Sequence, residues 1–95
     1  MRPRAAWMTD SDDTLLEFLS EYELALSPRV IEYNLNTRHK SSISYSTVNR
    51  RLKLLREAEL VEKEYEEGGF YAITNRGHAY LKGELDADEL EQSDQ

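Results

Sequence analysis

Apolar residues recur along the chain in blocks whose period changes from helical to alternating and back. Leu15, Leu16, Phe18, Leu19 and Tyr22 follow at helical spacing behind Thr9-Asp10-Ser11-Asp12, where Thr9 suits an N-cap and the acids suit the positive end of a helix. This predicts a first helix over about residues 10 to 22. Leu24-Ala25-Leu26 is too short for a helix and reads as an edge strand or extended link, after which Ser27-Pro28 supplies an N-cap with proline in the first turn. A second helix is predicted from Pro28 to about Asn34, with Val30, Ile31 and Leu35 as its apolar positions. The polar stretch Asn36 to Ser42 lacks periodicity and predicts a turn or loop, anchored by Ile43. Ser44 caps a third helix in which Val48, Leu52 and Leu55 lie within about 60° of one another at about 100° per residue.

Leu60 to Tyr65 then alternates, Glu66-Glu67-Gly68-Gly69 offers a turn, and Phe70 to Ile73 returns the chain, the pattern of a β-hairpin. Thr74 caps a further helix from Asn75 to about Lys82, which contains an unfavourable Gly77 and can end at Gly83. Asp86 and Glu89 resemble a capping box with Leu85 and Leu90 as its staple, predicting a short last helix before a frayed 92–95. The order is helix, short strand, helix, turn, helix, hairpin, helix. It predicts an α+β, mainly helical winged helix-turn-helix domain over residues 9–83, preceded by an arm at 1–8 and followed by an acidic segment at 84–95 with its short helix.

Charge sharpens the picture. The net charge is −7, yet Arg29 to Arg56 holds seven basic residues against one acid, a net of +6, and the remainder holds five against eighteen, a net of −13. An acidic body thus surrounds one basic segment, and an acidic surface with little lysine also suits solubility in concentrated salt. With 95 residues there is room for one core, and the absence of cysteine excludes disulfides and thiolate metal sites. No apolar run is long enough to span a bilayer and the basic start lacks the apolar stretch of a signal peptide, so a cytoplasmic location is expected, away from membranes.

The third helix carries the candidate chemistry. Its polar face presents Ser46, Asn49, Arg50, Lys53 and Glu57, with Thr47 and Arg51 on the flanks and Ser44 at its start. Short hydrogen-bonding groups near the N-terminus of a helix can reach base edges or phosphates, Arg50 can grip guanine with two bonds, and Arg38, Lys40, Arg51 and Lys53 suit the phosphate backbone. His39 is read as a turn residue near phosphate. Tyr45 is counted with this set, although its phase with Val48 points it toward the core and no aromatic platform for RNA is evident.

The run Ser44-Tyr45-Ser46-Thr47-Val48-Asn49-Arg50-Arg51-Leu52, continuing to Leu60-Val61, resembles the recognition helix and first wing strand of winged-helix regulators, and Ile73-Thr74-Asn75-Arg76-Gly77 resembles the return into the last helix. Ala6-Trp7-Met8-Thr9, Ser27-Pro28 and Tyr80-Leu81-Lys82-Gly83-Glu84-Leu85-Asp86 narrow the likeness to small haloarchaeal regulators related to the phage phi-H repressor. That resemblance covers nearly the whole chain and implies a sequence-specific, repressive binder of double-stranded DNA without catalytic activity. One departure concerns the wing. A wing that touches DNA usually has a basic tip, whereas this one shows Glu64, Glu66 and Glu67 beside Lys63.

Rival readings follow from the same residues. His39 and His78 lack metal-ligand partners at helical or turn spacing, and neither a phosphate loop nor a nucleophile motif is present, which disfavours an enzyme, a metal site or a cofactor. A winged-helix protein-interaction module would cover or neutralise the basic segment, whereas a DNA binder would keep it exposed. Apolar residues beyond the helical triad, namely Trp7, Met8, Tyr80, Leu81, Leu85 and Leu90, suggest a two-fold homodimer through the terminal segments and hence a pseudo-palindromic operator. Trp7 suits an interface anchor or a core residue against the first helix.

Overall fold

A computed structural model describes residues 3–39, 41–65 and 69–90, leaving out the side chain of Tyr65. The expectations for Lys40, for Glu66, Glu67 and Gly68 at the wing tip, and for a frayed 92–95 lie outside these residues. In chain order the elements are α1 (Asp10–Tyr22), α2 (Pro28–Arg38), α3 (Tyr45–Glu57), β1 (Val61–Tyr65), β2 (Phe70–Ile73), α4 (Asn75–Leu81) and α5 (Ala87–Leu90).

Caps fix the helix starts. The Ser27 and Ser44 hydroxyls accept from the Val30 and Thr47 amides, and the Thr74 hydroxyl accepts from the Gly77 amide at 3.0 Å. The buried faces of α1, α2 and α3 meet around Leu15, Leu16, Leu19, Ile31, Leu35, Val48, Leu52 and Leu55, each at most 1% exposed. β1 and β2 pair antiparallel with Lys63 opposite Tyr71, and the register shifts between Lys63 and Tyr65. Leu26 exchanges two backbone bonds with Tyr71, at 2.9 and 2.8 Å, so the expected extended link becomes a one-residue bridge to β2 of the hairpin.

Two local readings need correction. α2 continues one turn beyond Asn34, taking in Asn36, Thr37 and Arg38. The Asn36 side chain donates to the Ile43 carbonyl at 2.8 Å and accepts from the Ile43 amide at 3.1 Å, so its polarity serves the turn from within the helix. Val30 is exposed, because the face that meets the core is that of Ile31 and Leu35.

The terminal segments pack on their own chain. Met8, Tyr80 and Leu90 are buried in the core, and Trp7, Leu81 and Leu85 are half-buried against it. The Trp7 indole donates to the Leu90 carbonyl at 2.9 Å, and Arg76 donates to the carbonyls of Ala58 and Glu89. For Met8, Tyr80 and Leu90 these contacts correct the reading of all six residues as surplus apolar surface, since the chain's own core takes them up, whereas Trp7, Leu81 and Leu85 keep part of their surface open.

A polar cluster joins the arm to α4. Tyr80 donates to Asp13 at 2.5 Å, and Arg4 bridges Asp13 at 2.5 Å and Asp10 at 3.1 Å. Burial first, and then the Asp13 carboxylate, pushes the Tyr80 phenol up to about 12, against the opposing pull of Arg4. An unfolded tyrosine ionises near ~10, so the folded chain keeps this proton longer. The stabilisation is complete below pH ~10 and is lost as pH rises toward about 12. Stability measured in urea between these pH values is expected to fall less steeply in Tyr80→Phe than in wild type. Equal slopes would remove Tyr80 from the alkaline response.

Candidate nucleic-acid interface

The outward face of α3 follows from its periodicity. With Val48, Leu52 and Leu55 buried, Ser46, Arg50, Lys53 and Arg56 are exposed, and Asn49 and Thr47 are half-exposed. At the start of the helix the Ser44 hydroxyl lies 3.3 Å from that of Ser46 and 3.0 Å from that of Thr47. Three small hydroxyls thus cluster at the helix end where the backbone dipole favours negative charge. Along the next turns the face becomes cationic. Arg29, Arg38, Arg50, Lys53 and Arg56 all stay exposed, as a DNA binder requires.

Tyr45 takes neither of its two expected roles alone. It is half-buried, and the Arg29 guanidinium lies 3.8 Å from its ring centroid, a cation–π stack that joins the start of α2 to the start of α3. Arg29 belongs to the basic segment but was not among the individual site residues, because the stack depends on how the two helices cross. On the other side of α3, a groove of about 350 Å³ between helix and hairpin is lined by Lys53, Arg56, Glu57, Lys63 and Tyr71. Lys63, whose ammonium lies 6.0 Å from the Tyr71 ring, therefore puts a cation at the base of the wing beside the two on α3.

Other expected residues lie elsewhere. Arg38 and His39 stand at the far end of α2, where His39 meets Phe18 edge-on at 5.5 Å and Tyr22 at 6.2 Å. With Asn34, Leu24 and Leu26 they line a separate groove of about 280 Å³. They do not join the hydroxyl cluster at the start of α3. Arg51 needs the larger correction. It was grouped with the phosphate contacts, but its guanidinium turns inward and grips the fully buried Asp12 through Nε at 2.9 Å and a terminal nitrogen at 2.7 Å. The same nitrogen donates to the Trp7 carbonyl at 2.8 Å. The Asp12 hydrogen bonds, with burial opposing them, raise the Arg51 pKa. The helical wheel held the signal, since Arg51 sits only about 40° from Leu55.

Comparison with known proteins gives concordant results. The winged helix-turn-helix phage repressor family matches residues 1–93. The chain is 28% identical over 95 residues to the repressor protein of Halobacterium phage phiH, covering 98% of this chain and all of that protein. It also resembles the crystal structure of the PhiH1 repressor-like protein from Haloarcula marismortui, with a TM-score of 0.79, 39% identity and 98% of both chains covered.

Proposed function

The chain belongs to the winged helix-turn-helix phage repressor family, whose members are DNA-binding regulators and not enzymes, and from that premise we propose that it reads a specific operator by laying α3 in the major groove. The observation that carries this reading is the outward face of α3, where Ser44, Ser46, Asn49 and Arg50 are left open to solvent with cations on either side. Asn49 and Arg50 suit base edges. Arg29 on its Tyr45 stack, Lys53, Arg56 and Lys63 suit phosphates, with Lys63 giving the wing a basic foot despite Glu64.

Selection from randomised duplexes, read at several salt concentrations, tests the proposal directly. A defined sequence should emerge. Arg50→Ala is expected to weaken binding to it by ~1–3 kcal/mol and to relax preference at one base position. Unchanged binding to every sequence would show that another face meets DNA.

The protein is further proposed to act as a two-fold dimer on a pseudo-palindromic site. With Met8, Tyr80 and Leu90 in the core, the half-exposed Trp7, Leu81 and Leu85 of the terminal segments remain to favour a second copy, and Tyr22, Leu24, Val30 and Tyr33 add exposed apolar side chains elsewhere. A monomeric mass at micromolar concentration, in low and high salt alike, would end this part of the reading. No helix among the described residues is long and apolar enough to cross a membrane.

A further inference from the structure

Arg50 and Arg51 are neighbours in sequence and, about 100° apart around α3, face different surroundings. Arg50 is exposed on the outward face, whereas the Arg51 side chain is 11% exposed and its partner Asp12 is wholly buried. The bond is two-pronged, from two guanidinium nitrogens to the two carboxylate oxygens, and a third bond runs to the Trp7 carbonyl. Asp12 is itself fixed, because its Oδ2 accepts from the Thr9 amide at 2.8 Å as part of the capping box that starts α1. Every atom that holds the Arg51 fork is therefore tied to the backbone of α1 or of the arm.

Contacts among Val48, Leu52 and Leu55 hold α3 against the core, but dispersion and apolar burial have no direction and tolerate a small turn about the helix axis. A planar guanidinium held at two points does not. At a side-chain radius of about 5–6 Å, a turn of about 10° displaces the outward groups by about 1 Å, enough to spoil a two-bond contact with a base. We propose that the Asp12–Arg51 pair is a positioning device that sets the rotation of α3, so that it governs discrimination between DNA sequences and not affinity for DNA as such. Arg51 then serves recognition without touching the duplex. The inference rests on α3 being the recognition helix.

The test compares wild type with Asp12→Leu/Arg51→Met and with Arg51→Lys. Apolar replacement of a whole buried ion pair is often neutral for stability, so the double variant is expected to fold. Binding is measured against the operator obtained by selection with wild type and against a scrambled duplex, over a range of potassium chloride. In the double variant the ratio of specific to non-specific affinity should fall by about tenfold or more, comparable to one misread base pair, while non-specific affinity and its salt slope stay at wild-type values. Arg51→Lys keeps the charge but loses the fork, and should lose discrimination as well.

A ratio preserved within about twofold in the folded double variant overturns the proposal. So does a parallel loss of non-specific affinity and salt slope, which would mark Arg51 as a phosphate contact. Wild-type protein provides a measurement that needs no variant. On titration with operator, the Arg50 Nε–H resonance should shift and broaden, and that of Arg51 should stay in place with slow exchange. Movement of both signals counts against the proposal. Failure of wild type to select any sequence would bring down the reading of α3 and this inference together, whereas normal selection by the double variant would bring down the positioning role alone.

Discussion

Replacing Asp12 with alanine is expected to cost about 3–5 kcal/mol of folding stability, the range for breaking a buried pair by removing one partner. The change strips the largely buried Arg51 guanidinium of its carboxylate, leaving it the Trp7 carbonyl, and it also removes the acceptor for the Thr9 amide at the start of α1. Against a total of ~5–15 kcal/mol for an ordinary domain this is a large fraction. The melting temperature should drop by at least about 12 °C, given ~4–8 °C per kcal/mol at this size. Thermal unfolding followed by circular dichroism measures it, with Asp10→Ala as the control. Asp10 also pairs with an arginine, but its side chain is 97% exposed, so its loss should stay within about 0.5 kcal/mol. The Asp12 effect should persist in molar salt, because buried pairs are screened far less than exposed ones. A loss below about 1 kcal/mol would mean that water reaches the pair.

Gly77→Ala should also destabilise, although helix propensity alone predicts a gain of ~0.8–1.0 kcal/mol. A Cβ at this position would collide with the Leu60 carbonyl oxygen and would meet Ile73 Cγ1 at 2.5 Å. The Leu60 oxygen is backbone, and it already accepts from the Thr74 amide at 3.1 Å just before α4 begins, so it cannot retreat without breaking the junction of hairpin and helix. Overpacking of a core costs ~1–3 kcal/mol even where side chains can yield, and here a main-chain atom must move. A net loss of about 2 kcal/mol is expected, visible as a lower urea midpoint with an unchanged slope. Increased stability would mean that α4 does not approach β1 this closely in solution.

Gly77 illustrates how the sequence was and was not legible. It looked like a mere weakness inside a short helix, because its reason is a strand that lies beside it only after the chain has turned back. Elements with their own caps and periods were plain. Ser44 and the Val48, Leu52, Leu55 stripe delimited α3 and, by exclusion, its outward face, and Thr9 and Asp12 marked the start of α1. Asn36 to Arg38 hid a helical turn, because the run carries no apolar stripe and Asn36 finds Ile43 across the following loop. The Arg29–Tyr45 stack, the groove shared by Lys53 and Lys63, and the Asp12–Arg51 pair all depend on how helices cross. For Arg51 the wheel position pointed inward, yet the sign of its charge suggested phosphate, and the carboxylate that decides the matter lies 39 positions away. The apolar residues of the two terminal segments were assigned to a partner copy for the same reason, since nothing local shows that Trp7 reaches Leu90.

That last contact bears on the order in which the molecule can assemble. The indole of Trp7 and the carbonyl of Leu90 are 83 positions apart, and bringing such distant points together costs about 4 kcal/mol of loop entropy beyond a constant term. Helical hairpins and the β-turn close far shorter loops and reach their contacts within microseconds. The arm therefore waits for the helical triad and the hairpin to shorten the path between its ends before the indole can find its acceptor. During synthesis the wait is longer still, because Leu90 is made after α3 and the hairpin. A chain that has produced α3 and the hairpin therefore holds its helical core before it can latch Trp7, and the arm docks only once α5 is in place.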